Sequence, residues 1–500
     1  MKQYIKTVLG SLLIGITLAS CDSFLDVNEN PNDPINENLT LSSKLPAALW
    51  GTAYQENIQL NQLGSFWSGY WGTTSEGSNT YKKEAIYNGP AIMAKRDGIP
   101  VWENAFVYLE QYNLIKKQAV NENAPFYQGV AQIMQAWHFM RLVDVYGDVP
   151  FDEALQGQAI PTPAYEDGKI VYEKAFKLIN EAISLIKEAP AGSKRPSTDD
   201  ILFKGDIAKW VQFANTLKLR ALLRQSETDN MAFVQTELQK IINEGTGFLS
   251  TSALVQPGFT TSKPNPFWNT YYRNTSGVET NAYIDIRPTQ HIIDVYASLN
   301  DPRLALLYAK TTDNKYKGVL FGNPEMDDEY NRTNTSPFKG PKENGGDKAA
   351  LFKSAEQPFV LLGNFESYFL QAEAVQRGWI QGNAADLYAR GIEASLLYME
   401  VGRDDRSDYL AQKEVQYNGT LEQIIQQKWL SLNSISGMEA WCDYRRLGLP
   451  AIPNSLGAEN PNDRPRRLMY PETEVQTNIN EVNKRQVTDI TKARVWWDVN

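Results

Sequence analysis

NFESYFLQAEAVQRGWIQGNAADLYARGIEASLLYMEV, residues 364–401, has the pattern of two helices joined by a short link. In its first half, apolar side chains recur at three- and four-residue steps from Phe365 to Val375, the spacing of one face of an α-helix. Gly378 follows where a helix commonly ends in the left-handed conformation, and a second helical segment runs from Ala384 to Val401. Because the link is short, the two helices are predicted to pack as an antiparallel hairpin.

The same pairing of helical patterns occurs three more times, at about 101–120 with 125–146, 168–188 with 206–226, and 420–434 with 437–447. Small side chains, which let two helix backbones approach as in the tetratricopeptide unit, occur at the predicted crossing; they are Ala372, Ala374, Ala384, Gly391 and Ala394. The strict period of about 34 residues is absent. We therefore predict a mainly α fold for residues 41–500: a single domain built as a degenerate tetratricopeptide-like solenoid of helix pairs with long loop-rich insertions.

Two insertions are expected, at about 64–90 and 245–360, where Gly, Asn, Thr and aromatic residues occur without a sustained helical period. Loops of this length inside a domain are more often functional than idle. Insertions in repeat proteins collect on one face, so these two are expected to lie together.

The N-terminus has the pattern of a bacterial lipoprotein signal. Lys2 and Lys6 precede an apolar run from Val8 to Ala19, and residues 18–21, LASC, resemble a lipoprotein cleavage box. The run is too short to cross a bilayer, which needs about 20 residues. We predict a signal peptide at 1–20, a lipidated Cys21 that anchors the chain to a membrane, and an extended leash to residue 40. The alternative is an ordinary cleaved signal in which Cys21 is incidental.

The composition argues against several partners and cofactors. The chain carries 49 basic and 59 acidic side chains, and a surface of that sign repels nucleic acid. Its two histidines, His138 and His291, are far apart, so no histidine-based metal site and no cofactor is expected; a structural calcium ion is not indicated. If Cys21 is acylated, Cys442 has no partner for a disulfide.

The densest aromatic cluster is GSFWSGYWG, residues 64–72, followed by short polar residues and Tyr81. Flat aromatic faces suit sugar rings and short polar side chains suit their hydroxyls. The candidate ligand contacts here are Trp67, Tyr70, Trp71, Asn79 and Tyr81. The alternative is core packing, because positions 66, 67, 70 and 71 also form a helical stripe.

A second aromatic stretch, PFWNTYYRN at 266–274, lies inside the longer insertion, where a helical pattern is weaker. It adds Trp268, Tyr271 and Tyr272 to the candidate ligand contacts.

Catalytic motifs are missing from the sequence: there is no G-x-S-x-G elbow, no phosphate-binding glycine loop and no H-E-x-x-H. Gln135, His138, Arg141 and Asp144 fall at every third residue of one predicted helix. A proton relay is one interpretation; a solvent-facing stripe with an Arg141–Asp144 pair is favoured. Binding without chemistry is the simpler account.

Seven segments in order carry a family resemblance. They are SCDSFLD (20–26), MRLVDVYGDVPF (140–151), KWVQFANTLKLR (209–220), YFLQAEAVQRGW (368–379), LYARGIEAS (387–395), GMEAWCDYRRLGLP (437–450) and RPRRLMYPETEVQTN (464–478). Together they resemble the SusD/RagB family, the surface glycan-binding lipoproteins of Bacteroidetes.

The resemblance implies a fold of four tetratricopeptide-like helix pairs that support loop-rich insertions. It implies a lipid-anchored protein on the outer membrane that captures oligosaccharide or another nutrient without catalysis and closes over a SusC-type TonB-dependent transporter. The family places its binding aromatics on loops, in agreement with Trp67, Trp71, Tyr81, Trp268, Tyr271 and Tyr272. Trp441, Asp443, Arg445 and Arg446, by contrast, occupy a helix end and are expected to hold the fold together.

Two other functions stay open from the sequence alone. A surface glycoside hydrolase needs two carboxylates facing a cleft, and with 59 acidic residues a pair at that spacing can arise by chance. A helical-repeat scaffold that binds only proteins is the other alternative.

Overall fold

The computed structural model describes residues 39–347, 351–460 and 462–500. The predicted signal peptide, Cys21 and nearly all of the predicted leash lie outside these residues. The helices are α1 (Leu41–Tyr54), α2 (Asn61–Trp67), α3 (Lys82–Ala85), α4 (Gly89–Ile92), α5 (Val101–Asn121), α6 (Pro125–Tyr146), α7 (Gly168–Lys187), α8 (Ile207–Arg224), α9 (Met231–Glu244), α10 (Pro266–Tyr271), α11 (Asn281–Asp285), α12 (Gln290–Ser298), α13 (Arg303–Leu307), α14 (Asn364–Gln376), α15 (Ala384–Tyr398), α16 (Arg403–Ala411), α17 (Leu421–Leu432), α18 (Gly437–Leu447), α19 (Glu472–Thr477) and α20 (Ile479–Arg485). The strands are β1 (Trp71–Thr73), β2 (Ala253–Val255), β3 (Ile286–Pro288) and β4 (Phe359–Leu362). A π-helical segment, Gln55–Leu60, joins α1 to α2. Short 3₁₀ turns lie at Gly157–Ala159 and Asp328–Tyr330.

The mainly helical fold predicted from the sequence is confirmed, and helix pairs form its scaffold. α5 packs on α6, and α14 packs on both α15 and α17. One partner differs from expectation: α7, predicted to pair with α8, packs most extensively on α6. Nearly every side chain of α6 is buried, so this helix lies at the centre and accepts neighbours on several sides.

The helix ends follow the local sequence. Asp206 caps α8 by accepting a hydrogen bond of 3.0 Å from the Lys209 amide. Gly378, just beyond α14, has φ +72°, and Gly448, just beyond α18, has φ +69°, the left-handed conformation that glycine adopts without penalty.

Close backbone contact joins α2 to α18. A Cβ added to Gly64 would lie 2.1 Å from the carbonyl carbon of Gly437, so only glycine fits at this crossing. The contact holds the beginning of the first insertion against the last helix pair.

An ion network replaces the solvent-facing stripe predicted on α6. Arg141 and Asp144 do form an ion pair, at 3.6 Å, but both are buried, as are Gln135 and His138. The expectation of solvent exposure was wrong because other elements cover α6 on that side. Glu56 lies 2.9 Å and Glu439 of α18 lies 2.8 Å from Arg141, and Thr52 of α1 lies 2.8 Å from His138. Burial opposes ionisation of Glu439, yet the charges of Arg220, Arg224 and Arg141 hold its pKa well below the usual range.

The helix-end residues expected to hold the fold together are buried in the same network. Arg446 bonds Glu373 of α14 and lies 2.9 Å from Asp443. Arg445 donates to the Asp144 carbonyl, and Trp441 Nε1 donates to the Pro465 carbonyl at 2.8 Å. Cys442 is a buried free thiol.

The two predicted insertions meet and contain more regular structure than expected. β1 of the first pairs antiparallel with β3 of the second, and the Thr74 amide donates to the Asp285 carbonyl at 2.8 Å. β2 and β4 form a second antiparallel pair. Among the residues described, each helix is either too short or too polar to cross a bilayer.

Candidate functional site

The three aromatic residues predicted at 67–71 to contact ligand are core residues. Trp67, Tyr70 and Trp71 are each 0% exposed. Tyr70 OH donates to the Trp429 carbonyl at 2.6 Å, and Trp71 Nε1 donates to Ser434 Oγ at 2.8 Å. The expectation of ligand contact therefore fails here and the core-packing alternative is correct, although of the three rings Trp67 is in α2, Tyr70 follows that helix and Trp71 is in β1.

Tyr271 and Tyr272 are buried as well, at 1% exposure, which corrects their assignment as ligand contacts. PFWNTY forms helix α10, and Tyr271 OH donates to the Ile58 carbonyl at 3.2 Å. Tyr272 OH donates to Glu343 at 2.8 Å. Trp268 reaches solvent on one side while its ring contacts Tyr272 at 4.7 Å.

Asn79 and Tyr81 are the residues of the first insertion's candidate set that reach the surface. Asn79 is exposed and Tyr81 is partly exposed, with its ring 5.3 Å from Phe66. Burial, then the charges of Glu84 and Asp285, raise the pKa of Tyr81, so its hydroxyl stays a neutral donor at physiological pH.

A second loop, residues 323–335, packs against 74–81. The Ser75 amide donates to the Tyr330 carbonyl at 3.0 Å, and the Arg332 amide donates to Glu76 at 3.0 Å. Asp285 binds both loops: it accepts from Thr80 Oγ1 at 3.1 Å and lies 2.7 Å from Arg332 Nη2. The two loops therefore hold each other in a fixed arrangement.

Two residues of this second loop were missed in the sequence. Met326 is 72% exposed, and Ser78 Oγ lies 3.9 Å from its sulfur. Tyr330 is partly exposed, with Lys317 Nζ 5.4 Å from its ring centre. The only sequence signal was an isolated Met and Tyr among acidic and amide residues, which is typical of many loops.

An apolar cavity of about 110 Å³ lies beside these loops. Its lining residues are Gly69, Thr289, Gln290, His291, Val319, Leu320, Phe321, Pro453, Asn454 and Leu456. Phe321 ties the cavity to the loops, since its ring lies 6.4 Å from Phe66, which also contacts Tyr81.

A larger, polar cleft of about 650 Å³ lies on the other side of the 453–460 segment. It is lined by residues 86–90, 457–460, Asp463, Met469 and 488–492. Within it, Lys492 binds Asp463, and Asp489 accepts hydrogen bonds from the Thr491 amide and hydroxyl at 2.8 Å. We refer to residues 74–90, 319–335, 453–460 and 488–492 together as the loop face.

The sequence could have indicated part of this cleft. Residues 452–460, IPNSLGAEN, have the Gly, Pro and Asn content of a loop, but this composition alone does not indicate a binding site. No group of three or more His, Cys, Asp or Glu side chains suited to a metal ion occurs in the part of the chain that the structure covers.

Residues 32–471 match a SusD-like family described as starch-binding and associating with the outer membrane. A SusD homolog from Bacteroides uniformis is 23% identical, with a TM-score of 0.74 over 91% of this chain and 99% of that one. A chitin-binding SusD homolog from Flavobacterium johnsoniae is 23% identical, with a TM-score of 0.73 and the same coverage. A further chitin-binding protein is 25% identical, with a TM-score of 0.71 over 92% of this chain and 99% of that one. Among curated proteins nothing is similar enough to count as a match.

Three findings agree with one another: the helix pairs are of the tetratricopeptide type, the insertions meet on one face, and a family matches most of the sequence. This chain belongs to the SusD-like family.

Proposed function

We propose that this protein is a lipid-anchored, surface-facing outer-membrane receptor that binds oligosaccharide on its loop face and delivers it, without catalysis, to a SusC-type TonB-dependent transporter. The observation that carries the proposal is the match of residues 32–471 to a family described as starch-binding. Two proteins of similar structure that are named chitin-binding also support a carbohydrate ligand.

The geometry of the loop face fits such a ligand. A cleft of about 650 Å³ falls in the usual range of ligand sites, roughly 300–1,000 Å³. Its Asn, Asp, Thr and Lys side chains suit sugar hydroxyls. Asn79 and Tyr81 are the predicted contacts of the loop face that reach solvent, and Tyr330 adds another ring face. Trp268 also reaches solvent but lies outside the loop face.

The cleft favours binding over hydrolysis. A glycosidase needs one carboxylic acid to donate a proton and a second carboxylate to act on the sugar or on water. In the cleft, Asp463 is held by Lys492, and Asp489 accepts from the backbone and hydroxyl of Thr491. Asp463 and Asp489 are thus engaged in structural contacts, which leaves Glu459 as the third carboxylate of the cleft, one fewer than the pair that hydrolysis needs.

Affinity electrophoresis of the purified protein against starch, chitin fragments, other polysaccharides and peptides tests the ligand class, with reducing ends measured in parallel. Retention by at least one glycan without new reducing ends is the expected result. New reducing ends would identify a hydrolase instead. Retention by peptides alone, or by nothing in the panel, would contradict glycan binding.

The anchor and the transporter need their own test. Cells grown in labelled palmitate should label the wild-type chain and leave a Cys21→Ser variant unlabelled, because the sulfur of Cys21 is the atom to which the lipid would be attached. Crosslinking on intact cells should then join the wild type to a TonB-dependent barrel. A wild-type chain that takes up no label would refute the anchor, and one crosslinked to no barrel would refute the partnership.

A further inference from the structure

Among the polar side chains that line the apolar cavity of the loop face, one has no hydrogen-bond partner within the described residues. Thr289 Oγ1 donates to the Gly69 carbonyl at 2.6 Å. Gln290 donates to Asp294 at 2.7 Å and accepts from the Gly318 amide at 2.9 Å. Asn454 accepts from Tyr87 and donates to the Asp463 carbonyl at 2.6 Å. These three side chains already have partners within the protein.

His291 is different from the other polar residues of the lining. No residue within the described ranges hydrogen-bonds to its ring, which lies 5.8 Å from Trp429 and is only partly buried. Burial lowers the pKa of His291, so the ring is neutral at physiological pH. A neutral imidazole has one N–H donor and one nitrogen acceptor.

Most of the remaining cavity wall is hydrocarbon. Val319, Phe321 and Pro453 line it, and Leu320 and Leu456, which are 38% and 58% exposed, lie where solvent can reach it. A sugar hydroxyl placed against these side chains would lose its hydrogen bonds to water, at a cost of about 1–3 kcal/mol. A methyl group placed there would instead gain from burial.

The volume restricts the occupant further. An engineered cavity of about 150 Å³ is known to hold benzene, so a space of about 110 Å³ takes a substituent and not a whole sugar ring. The substituent must combine an apolar end with a donor and an acceptor that a neutral imidazole can pair. An acetamido group has all three features, whereas a hydroxyl has no apolar end and an acetyl ester has no donor.

We propose that this cavity is a subsite for the acetamido group of an N-acetylated sugar, with the methyl against Leu320, Phe321 and Leu456 and the amide facing His291. The inference rests on the proposed glycan-binding function and narrows it to N-acetylhexosamine-containing oligosaccharides. The cavity then acts as the selective element, and the polar cleft and exposed rings bind the remaining sugar units.

The test is a pair of calorimetric titrations of the full chain in mild detergent with chito-oligosaccharide and with cello-oligosaccharide of equal length. These ligands share the β-1,4 linkage and differ by an acetamido group in place of one hydroxyl. We expect chito-oligosaccharide to bind at least about tenfold more tightly, the factor that corresponds to 1.4 kcal/mol. Equal affinities would overturn the inference. If the protein bound another glycan but neither of these two ligands, the inference would also be overturned, although the proposed function would stand.

Two variants locate the effect. His291→Leu replaces the imidazole with an apolar side chain of similar size. The affinity for chito-oligosaccharide should fall by about tenfold, and the affinity for cello-oligosaccharide should stay unchanged. Leu320→Trp, at a partly exposed position, should obstruct the cavity and have the same selective effect. Near-ultraviolet circular dichroism checks the fold of both variants. A folded variant that keeps the wild-type preference for the acetamido ligand would contradict the assignment.

Discussion

His138 gives this protein a specific dependence of stability on pH. His138 belongs to α6, and its Nε2 lies 2.8 Å from Thr52 Oγ1 of α1. Its ring also lies beside the rings of Tyr108 and Tyr112 of α5. Burial, reinforced by the charge of Arg141, lowers the pKa of His138 from 6.5 to about 3. The folded state therefore binds no proton at this site at mildly acidic pH, whereas the unfolded state does.

The low pKa of His138 makes the folded state less stable as the pH falls below 6.5. Above pH 6.5 both states are neutral at His138 and the site adds no pH dependence. Between pH 6.5 and about 3 the unfolded state binds one more proton, so the free energy of unfolding falls by up to about 1.4 kcal/mol for each unit decrease in pH. Urea unfolding of the wild type and of His138→Gln at pH 7.5, 6.0 and 5.0 measures it. The difference between the two should change with pH in this sense, and parallel pH profiles would refute the account.

Substitutions of Trp71 and Tyr330 distinguish a residue that stabilises the core from one that contacts ligand. Trp71 is fully buried with its indole N–H bonded to Ser434, so Trp71→Ala should reduce the free energy of unfolding by about 3–5 kcal/mol. Tyr330→Ala, at a partly exposed position, should cost less than about 1 kcal/mol and weaken glycan binding. Denaturant unfolding and the retention assay, run on both variants, measure the two effects. A stable Trp71→Ala protein that lost only glycan binding would contradict the placement of this ring in the core.

The crossing of α2 and α18 depends on two glycines. A Cβ at Gly64 would meet the Gly437 backbone at 2.1 Å, and backbone cannot move aside as a side chain can. Gly64→Ala should therefore lower the free energy of unfolding by about 1–3 kcal/mol, or more if the insertion separates from the scaffold. Gly192→Ala is the matched control, because nothing lies within 4 Å of that position. If both changes had the same small effect on thermal unfolding, this contact would not be close.

Glu439 of α18 is the shared partner of three arginines on two other helices, α6 and α8. It lies 2.7 Å from Arg224 and 2.8 Å from Arg141, with Arg220 at 3.5 Å, and all are buried. Glu439→Ala removes a buried acceptor from Arg141 and Arg224, which keep Glu56 and Asp144 as partners, so it should cost about 1–3 kcal/mol. Glu227→Ala removes an exposed partner of Arg377 and should cost less than about 1 kcal/mol. Chemical denaturation of both variants checks this; equal losses of stability would argue against the network.

Helix positions could be predicted because they depend on local pattern. The apolar period in 364–375 and the stop at Gly378 predict α14 without any tertiary information. Contacts between helices could not be predicted in the same way, because they depend on tertiary structure. The same side chains on α6 could face solvent or ions, and the outcome depends on Glu56 and on Glu439, which is almost three hundred residues along the chain from Arg141.

The site was less predictable for the same reason. Trp67 and Trp71 have the composition of a sugar platform, yet Trp67 of α2 and Trp71 of β1 are both in the core, and composition cannot show which way a short element faces. Tyr87 and Asn454, whose hydrogen bond lies between the cavity and the cleft, come from distant segments. The family resemblance indicated the role of the chain, but its shared segments are mostly structural.

At the scale of the whole molecule, the helices and the loop face have separate tasks. The helix pairs are joined by buried ions and close backbone contacts, which give a fixed frame. The insertions meet on that frame through β1, β3 and Asp285 and carry the exposed rings. Together with residues 453–492 they line the cavity and the cleft. A ligand captured there would contact the loop face without disturbing the frame.

Hydrogen–deuterium exchange of the full chain, with and without the glycan that it retains best, tests this division most directly. We predict slower amide exchange on binding in residues 74–90, 319–335, 453–460 and 488–492, with α6 and α14 unchanged. Unchanged exchange throughout the loop face, together with protection confined to the helix pairs, would contradict the account.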